Sequence, residues 1–305
     1  MERNNTKGLL FGALSAAAYG VNPVALFLYQ DGYSTTTVLM YRYLFAVLFM
    51  AILMYLKKES FLSTKAELVK MFFMGMLFSF SSLTLFESYN HIDVSIASTL
   101  LFSYPAFVAI IMAIMFKERL SKLQLFGIVM VAIGICLLNI QPSNSASHSL
   151  SDSLIGVGLV TLSSLLYAVY IVATQQDKTL SKISSLKLSF YAILFGSLVY
   201  IIPSIFNADD NAPIMLTNAT HWTCVISLAL FPTLISVTLL AYSIRYIGPT
   251  VSAILGAFEP ITAVLLGMVL FGERPSILAF ISMFIIIIGI SMVILKKQRA
   301  ESNAD

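Results

Sequence analysis

The sequence predicts an all-α integral membrane protein whose ten transmembrane helices form two inverted five-helix repeats around a central cavity. Three observations favour this fold: an apolar composition, ten apolar segments of membrane-spanning length, and an internal repeat. Of the 305 residues, 58% are hydrophobic and 11% are charged, whereas a soluble domain usually carries about 25% charged residues. We therefore expect almost the whole chain to lie in a lipid bilayer.

Ten apolar segments approach the ~20 residues that a helix needs to cross a bilayer. In chain order they are 8–28, 35–56, 70–89, 94–115, 123–140, 154–174, 184–206, 222–244, 250–271 and 277–295. The two longest outer connections, 141–153 and 207–221, are polar and turn-rich and contain no Lys or Arg. Neither connection is long enough to form a domain, so any function must lie within or across the membrane.

The basic residues test the span count independently. With ten spans and the N-terminus inside, 16 of the 18 Lys and Arg residues fall in cytoplasmic segments. Arg274 alone falls outside, and Arg42 lies within a span. Because cytoplasmic loops carry an excess of positive charge, this distribution predicts that both termini are cytoplasmic.

The second half of the chain repeats the first. The matched positions, 155 residues apart, are 92–99 and 247–254, Pro105 and Pro260, Glu118-Arg119 and Glu273-Arg274, and Gly134 and Gly289. A weaker match, 148 residues apart, links Ser15 and Tyr19 to Ser163 and Tyr167. We expect repeats at 8–140 and 154–295, with 141–153 as an outer linker. Five spans per repeat is an odd number, so the repeats are inverted, as in many secondary transporters.

Two charged residues lie deep within predicted spans. Arg42 is seven residues into the second span, and Glu259 is near the middle of the ninth. At 1.5 Å per residue they lie roughly 10 Å and 18 Å below the outer edge of the membrane. Such groups usually face a bundle interior or a cavity. Two interpretations stay open: a structural ion pair, or a substrate or proton site.

Kinks are predicted at four of the prolines inside spans: Pro23, Pro105, Pro232 and Pro260. Each removes a backbone donor and frees a carbonyl one turn earlier, which a membrane protein tolerates where neighbours or cavity water satisfy it. Because Pro105 and Pro260 are repeat mates, the fourth and ninth spans are expected to bend at matching depths and to line a midplane cavity.

Polar side chains at mid-depth complete the predicted pocket. Asn22 lies near the level of Arg42, and a tyrosine hydroxyl at this depth needs a hydrogen-bond partner. The predicted substrate-binding residues are Asn22, Arg42, Tyr104, Tyr167, Tyr191 and Glu259.

Several activities are excluded by missing motifs. The sequence has no GxxxxGK[ST] motif for ATP, no HExxH motif and no His/Cys cluster. The acidic pair Asp209-Asp210 has no second pair within a span, which argues against Mg-dependent prenyl transfer. We predict no catalytic residue, no cofactor, no metal site and no nucleic-acid partner, and therefore not an enzyme.

These residues resemble a known family. Arg42-Tyr43 in the second span, Ala97-Ser98 with Pro105 and Glu118-Arg119 in the first copy, and Ser252-Ala253 with Glu259-Pro260 and Gly272-Glu273-Arg274 in the second carry the likeness. The chain looks like a ten-span member of the drug/metabolite transporter superfamily with two EamA-type repeats, over about residues 8–295. The first copy departs from the second by having Tyr104 in place of Glu259, which makes the centre chemically asymmetric.

The resemblance implies a bacterial inner-membrane protein whose central cavity opens alternately to either side and that moves small metabolites, often outward. The expected function is a secondary transporter, most plausibly an exporter of a small polar metabolite such as an amino acid, with the proton as a candidate coupling ion. Two alternatives stay open. One is a drug or lipid transporter of the same fold with a purely structural Arg42–Glu259 pair, and the other is a non-transporting membrane enzyme or assembly factor.

Overall fold

The computed structural model of the chain describes residues 5–25, 27–28, 31–88, 91–92, 97, 100–118, 121–138, 150–206, 215–270 and 276–302. Within those ranges every regular element is a helix. The linker predicted at 141–153, most of the 92–99 repeat stretch and the Glu273-Arg274 pair lie partly or wholly outside the described residues.

The helices overlap with the predicted apolar segments, but the predicted ninth span, 250–271, is divided into two helices. They are α1 (Asn5–Tyr19), α2 (Thr35–Leu56), α3 (Lys65–Ser88), α4 (Tyr104–Phe116), α5 (Lys122–Leu138), α6 (Leu150–Gln176), α7 (Ser185–Phe206), α8 (Ala219–Ile247), α9 (Pro249–Leu255), α10 (Phe258–Leu270) and α11 (Ile277–Ser302). Six apolar stretches of the described chain are long enough to cross a membrane: α2, α3, α6, α7, α8 and the α9–α10 region. α4, α5 and α11 contain shorter apolar stretches.

Local sequence explains several helix ends. Ser34 caps α2 by accepting a hydrogen bond from the Thr37 backbone N–H at 3.2 Å, and Asn218 caps α8 in the same way through the His221 N–H at 2.8 Å. Such caps satisfy donors that have no partner within the helix. Gly248, with φ of 86°, separates α8 from α9, because a positive φ is readily adopted only by glycine.

The prolines lie where helices are interrupted, rather than in the middle of regular bent helices. Pro105 is in the first turn of α4, and Pro260 is in the first turn of α10, just after a break at Gly256-Ala257. Pro232 lies in a π-helical segment of α8, Leu230–Ile235, and Pro23 follows the end of α1 in a 3₁₀ turn, Asn22–Ala25. At Pro105 and Pro260 the missing proline N–H is tolerated because a helix start leaves that donor unpaired anyway, whereas at Pro232 the π-helical winding already interrupts the regular bonding ladder.

Helix packing is organised around antiparallel pairs. α1 packs on the second half of α8, α3 packs on α6, α2 packs on α7, and α5 packs on α11. α3 also contacts α7, and α2 also contacts the first half of α8. The largest buried cluster includes Tyr43, Met50, Tyr170, Leu188 and Tyr200 and joins α2, α3, α6 and α7.

The outer surface is strongly apolar. Ile114 on α4, Val269 on α10 and Phe284 on α11 are 75%, 79% and 65% exposed. Leaving many such side chains in water would be unfavourable, whereas a lipid environment accommodates them. The fold therefore agrees with a multi-pass helical membrane protein.

Candidate functional site

A cavity lies between α1, α4, α6, α8 and the break between α9 and α10. Its lining includes Tyr19, Tyr104, Tyr167, Ser236 and Glu259. About 20 Å³ of it is open to the centre of a water molecule, which is room for roughly one or two waters. In this conformation the site is therefore contracted, and a larger ligand requires the helices to move apart.

Glu259 is the one charged side chain that lines the cavity. It lies in the first turn of α10, where the helix dipole favours a negative charge. No hydrogen bond or ion pair joins its carboxylate to any residue that the structure describes, Arg42 included. The Glu259 carboxylate therefore has no hydrogen-bond or ion-pair partner among the residues that the structure describes.

Arg42 is held on the other side of Tyr19, outside the cavity lining. Its Nε donates to Thr233 Oγ1 at 2.6 Å, Nη1 donates to Asn22 Oδ1 at 2.9 Å, and Nη2 donates to the Pro232 carbonyl at 3.5 Å. Its Cζ lies 5.8 Å from the centroid of the Tyr19 ring. The residue is 6% exposed, and these three acceptors supply the hydrogen bonds of the buried guanidinium, while Glu259 lies near enough to interact with its charge.

The π-helical segment of α8 creates the acceptors for Arg42. Thr233 donates its own hydroxyl proton to the Leu228 carbonyl, five residues earlier, at 2.9 Å. Its oxygen is therefore free to accept from Arg42. The Pro232 carbonyl is available because π-helical windings interrupt the regular bonding ladder, and they are frequent at functional sites.

Two tyrosines pack edge to face in the cavity wall. The ring centroids of Tyr104 and Tyr167 are 4.9 Å apart with an interplanar angle of 67°. The Tyr104 hydroxyl donates to the Ala253 carbonyl at 3.0 Å and lies so close to Gly256 that a Cβ there would collide with it. The break after α9 therefore depends on glycine at this position.

The structure brings together five of the six predicted binding residues. Tyr104, Tyr167 and Glu259 line the cavity, and Asn22 and Arg42 form the adjoining hydrogen-bond network. Tyr191 lies elsewhere: its hydroxyl donates to the Phe61 carbonyl at 2.5 Å, in the connection between α2 and α3. The sequence indicates how deep Tyr191 lies along its helix, but not where its hydroxyl points, because that direction depends on the rotation of α7 about its own axis.

Two serine pairs were not among the predicted site residues. Ser15 on α1 donates to the Ser236 carbonyl on α8 at 2.8 Å. On α3 and α6, Ser81 donates to the Ser163 carbonyl at 2.9 Å, and Ser163 donates to the Ser81 carbonyl at 2.7 Å. The repeat offsets match Ser15 to Ser163 and Ser236 to Ser81, so the internal repeat was the signal that could have found both pairs.

Each of these two helix pairs also has a tight contact at a glycine. A methyl group added at Gly8 on α1 would lie 2.5 Å from Ile247 Cγ2 and 2.6 Å from Tyr246 Cβ. A methyl group added at Gly156 on α6 would lie 2.6 Å from Ile92 Cγ2 and 3.1 Å from His91 Cβ. We call these the α1–α8 closure (Gly8, Tyr246, Ile247) and the α3–α6 closure (His91, Ile92, Gly156). Because α1 and α6 begin at opposite ends of the bundle, the two closures lie at opposite ends.

The fold and this site define the class as a multi-pass helical membrane protein with a central polar cavity. The sequence matches the EamA-like transporter family over residues 6–140 and 154–295. The chain belongs to this family, and membrane transport is therefore the activity class of its relatives.

Similar proteins support the assignment. Two proteins of Bacillus subtilis (strain 168), both named as uncharacterized transporters, are YetK, 28% identical over 207 residues, and YcbK, 26% identical over 281 residues. The match covers 65% of this chain and 59% of YetK, and 90% of this chain and 88% of YcbK. A solved structure, described only as a crystal structure of protein, superimposes with a TM-score of 0.81 at 16% identity, over 98% of this chain and 100% of that chain. At that identity the likeness shows the fold alone.

Proposed function

We propose that the protein is a secondary transporter that works by alternating access and exports a small polar metabolite that carries an amino group, such as an amino acid or a related amine. Ten spans in two inverted five-helix repeats would form the transport unit. A bacterial inner-membrane location with both termini cytoplasmic agrees with the distribution of Lys and Arg.

Helix contacts within the bundle occur in pairs that the repeat offsets relate to each other, which supports an inverted repeat. Under the repeat offsets, the pair α1 and α8 corresponds to the pair α6 and α3, and both pairs are in contact. Likewise, the contact between α3 and α7 corresponds to that between α8 and α2. Such pairs of contacts are expected when two copies of one unit pack about a two-fold axis in the membrane plane.

The single observation that carries alternating access is the presence of equivalent closures on either side of one cavity. Gly8 corresponds to Gly156 at an offset of 148, and Tyr246 and Ile247 correspond to His91 and Ile92 at an offset of 155. Release of the α1–α8 closure would open the cavity to the cytoplasm, and release of the α3–α6 closure would open it to the outside.

The roles of the site residues follow from their contacts. Glu259 would bind the ammonium group of the substrate or carry a coupling proton. Tyr104 and Tyr167 would shape the pocket, and Asn22 would orient Arg42. Tyr191 has no proposed role at the cavity, because its hydroxyl is bonded to the connection between α2 and α3.

The alternatives find less support. A structural Arg42–Glu259 ion pair is absent from the described contacts, so an uncharged cargo would leave Glu259 without a role. A membrane enzyme is disfavoured by relatives that are named transporters.

Transport by the purified full-length chain in lipid vesicles tests the proposal. Vesicles loaded with tyrosine, leucine, tyramine or isoamylamine, each radiolabelled, are monitored for exchange with the same external compound, with and without a pH gradient. Protein-dependent exchange of at least one compound, abolished in Glu259→Gln and retained in Glu87→Gln, is expected, because Glu87 is an exposed carboxylate at the end of α3. Rates equal to those of protein-free vesicles for all four compounds would contradict the proposal.

A further inference from the structure

We infer that the cavity selects organic amines that carry a positive charge and no carboxylate, in preference to the corresponding zwitterionic amino acids. This inference rests on the proposed transport function and narrows its substrate class. It follows from the charge, aromatic content and hydrogen-bond donors of the cavity lining.

The charge balance of the cavity favours a cation. Glu259 lines the space without a hydrogen bond or ion pair to a described residue, and none of the described lining residues is Lys, Arg or His. A charge without a direct partner away from water is strongly unfavourable. A ligand with one positive charge pairs directly with Glu259, whereas a zwitterion adds a carboxylate that meets no cation in the lining, because Arg42 acts on Glu259 from outside it, beside the Tyr19 ring.

The aromatic lining favours the same ligand. Tyr19, Tyr104 and Tyr167 surround the cavity together with Glu259. The electron-rich faces of such rings attract ammonium groups, and sets of rings around one site are a common means of recognising amines. A carboxylate close to the same ring faces is repelled by the same quadrupole.

Arg42 is poorly placed to bind a carboxylate. Its three nitrogen atoms already donate to Thr233, Asn22 and the Pro232 carbonyl. These bonds use three of the five N–H groups of the guanidinium, and Arg42 does not belong to the cavity lining, so a substrate carboxylate in the cavity has no direct contact with it. We therefore assign Arg42 as a positioning residue that fixes α2 to the π-helical segment of α8.

The hydroxyl protons of the lining serines are also committed. Ser15 donates to the Ser236 carbonyl. Ser243 donates to the Gly8 carbonyl at 3.0 Å, so the 2.9 Å contact between the Ser243 and Ser252 hydroxyls must use the proton of Ser252. Tyr104 donates to Ala253. These side chains can accept hydrogen bonds from an ammonium group more readily than they can donate to a carboxylate.

Matched ligands provide the test, because they differ only at the carboxylate. Thermal unfolding of the purified full-length protein is followed with tyramine, tyrosine, tyrosine methyl ester and uncharged 4-ethylphenol, and with the pair isoamylamine and leucine. Tyramine, isoamylamine and the ester are expected to raise the unfolding temperature at concentrations at least tenfold below those needed with tyrosine or leucine. 4-Ethylphenol is expected to have no comparable effect.

Two sets of variants connect the effect to the cavity. Glu259→Gln should abolish stabilisation by the amines, whereas Glu87→Gln should retain it. If Glu259→Gln does not fold, the pair Tyr167→Phe and Tyr167→Leu serves instead, because the first keeps an aromatic face and the second removes it. Amine affinity should survive in Tyr167→Phe and fall several-fold in Tyr167→Leu.

The outcomes separate this inference from the proposed function. Equal or stronger stabilisation by the amino acids, equal stabilisation by 4-ethylphenol, or no stabilisation by any amine would overturn the inference. If tyrosine or leucine is also exchanged across vesicles, the transporter proposal stands without the selectivity for amines. If no compound is exchanged at all, the transporter proposal itself fails.

Discussion

Arg42 on α2 donates its Nε hydrogen to the hydroxyl oxygen of Thr233, 2.6 Å away in the π-helical segment of α8. Thr233 in turn donates to the Leu228 carbonyl at 2.9 Å. The hydroxyl therefore links a buried cation to an irregular stretch of backbone. This link helps to explain how Arg42 is accommodated in a span although no described carboxylate forms an ion pair with it.

Replacement of Thr233 by Val should break this link at almost constant shape. The guanidinium loses one acceptor and the Leu228 carbonyl loses its donor, so we expect the free energy of unfolding to fall by about 1–2 kcal/mol. Denaturation in mixed detergent micelles measures the loss, and Thr233→Ser, which keeps the hydroxyl, should remain close to the wild type. In a double-mutant cycle the effects of Thr233→Val and Arg42→Ala should be non-additive, and simple additivity would refute the link.

A Val at Gly156 should force open the α3–α6 closure, because its Cβ alone would overlap with Ile92. A Val at Gly8 should do the same to the α1–α8 closure. A single cysteine introduced at Leu240 in the cavity lining, with Cys136 and Cys224 changed to Ser, reports which side is open. We expect faster labelling by an impermeant maleimide from outside in Gly156→Val and from the cytoplasmic side in Gly8→Val.

Gly158 supplies the matched control on the same helix. Nothing lies within 4 Å of a Cβ added there, so Gly158→Val should leave both labelling rates at the wild-type level. Equal rates in Gly156→Val and Gly158→Val would show that the close approach to Ile92 does not govern access.

The serine pairs should differ in function although they are equivalent in the repeat. Ser163→Ala removes a reciprocal hydrogen bond away from the cavity and should lower stability by about 0.6 kcal/mol while leaving transport unchanged. Ser15→Ala should cost about the same and should also alter transport, because Ser15 lines the cavity. Stability curves and vesicle exchange rates for both variants separate the two effects, and identical transport by both would contradict this distinction.

A salt bridge at the membrane surface should make stability depend on pH. Lys70 Nζ lies 2.7 Å from Asp177 Oδ2, in the connection after α6. Partial burial disfavours the charge on Asp177 and alone would raise its pKa. Hydrogen bonds from Lys70 and from the backbone N–H groups of Leu180 and Thr179 outweigh this effect of burial, so the pKa of Asp177 is lower than its usual value.

A lowered carboxylate pKa stabilises the folded state above the unfolded pKa, which is about 4, and this contribution is lost as the pH falls through the folded pKa. Asp177→Asn should therefore be less stable than the wild type at pH 7, by no more than ~1 kcal/mol because the pair is partly exposed. The difference should shrink as the pH falls below 4. Thermal unfolding from pH 3 to pH 8 checks this, and a constant difference would show that the charge is not responsible.

The sequence was sufficient to predict an all-helical membrane protein and the position of individual helices, because both depend on residue type and spacing. α2 was predicted at 35–56 and is Thr35–Leu56, since its apolar run ends sharply at Lys57-Lys58. The repeat alone also indicates that Tyr104 and Glu259 occupy equivalent positions in the two copies.

The direction and partners of side chains could not be predicted in the same way. Arg42 binds a hydroxyl and a carbonyl that become available only because α8 winds as a π-helix around Pro232, and no local pattern indicates that winding. Tyr191 has a depth similar to that of the other tyrosines, but the rotation of α7 directs its hydroxyl to Phe61. Such features depend on tertiary packing, which hydropathy does not encode.

The equivalence of the two closures has an energetic consequence. Opening either side separates a glycine from an isoleucine in tight contact, Gly8 from Ile247 or Gly156 from Ile92, so we expect conformations open to either side to have similar free energies and comparable populations. A bias of 1.4 kcal/mol already shifts such a balance tenfold. The direction of net movement would then be set by the gradients that the membrane maintains, and the same molecule would run in either direction when those gradients are reversed.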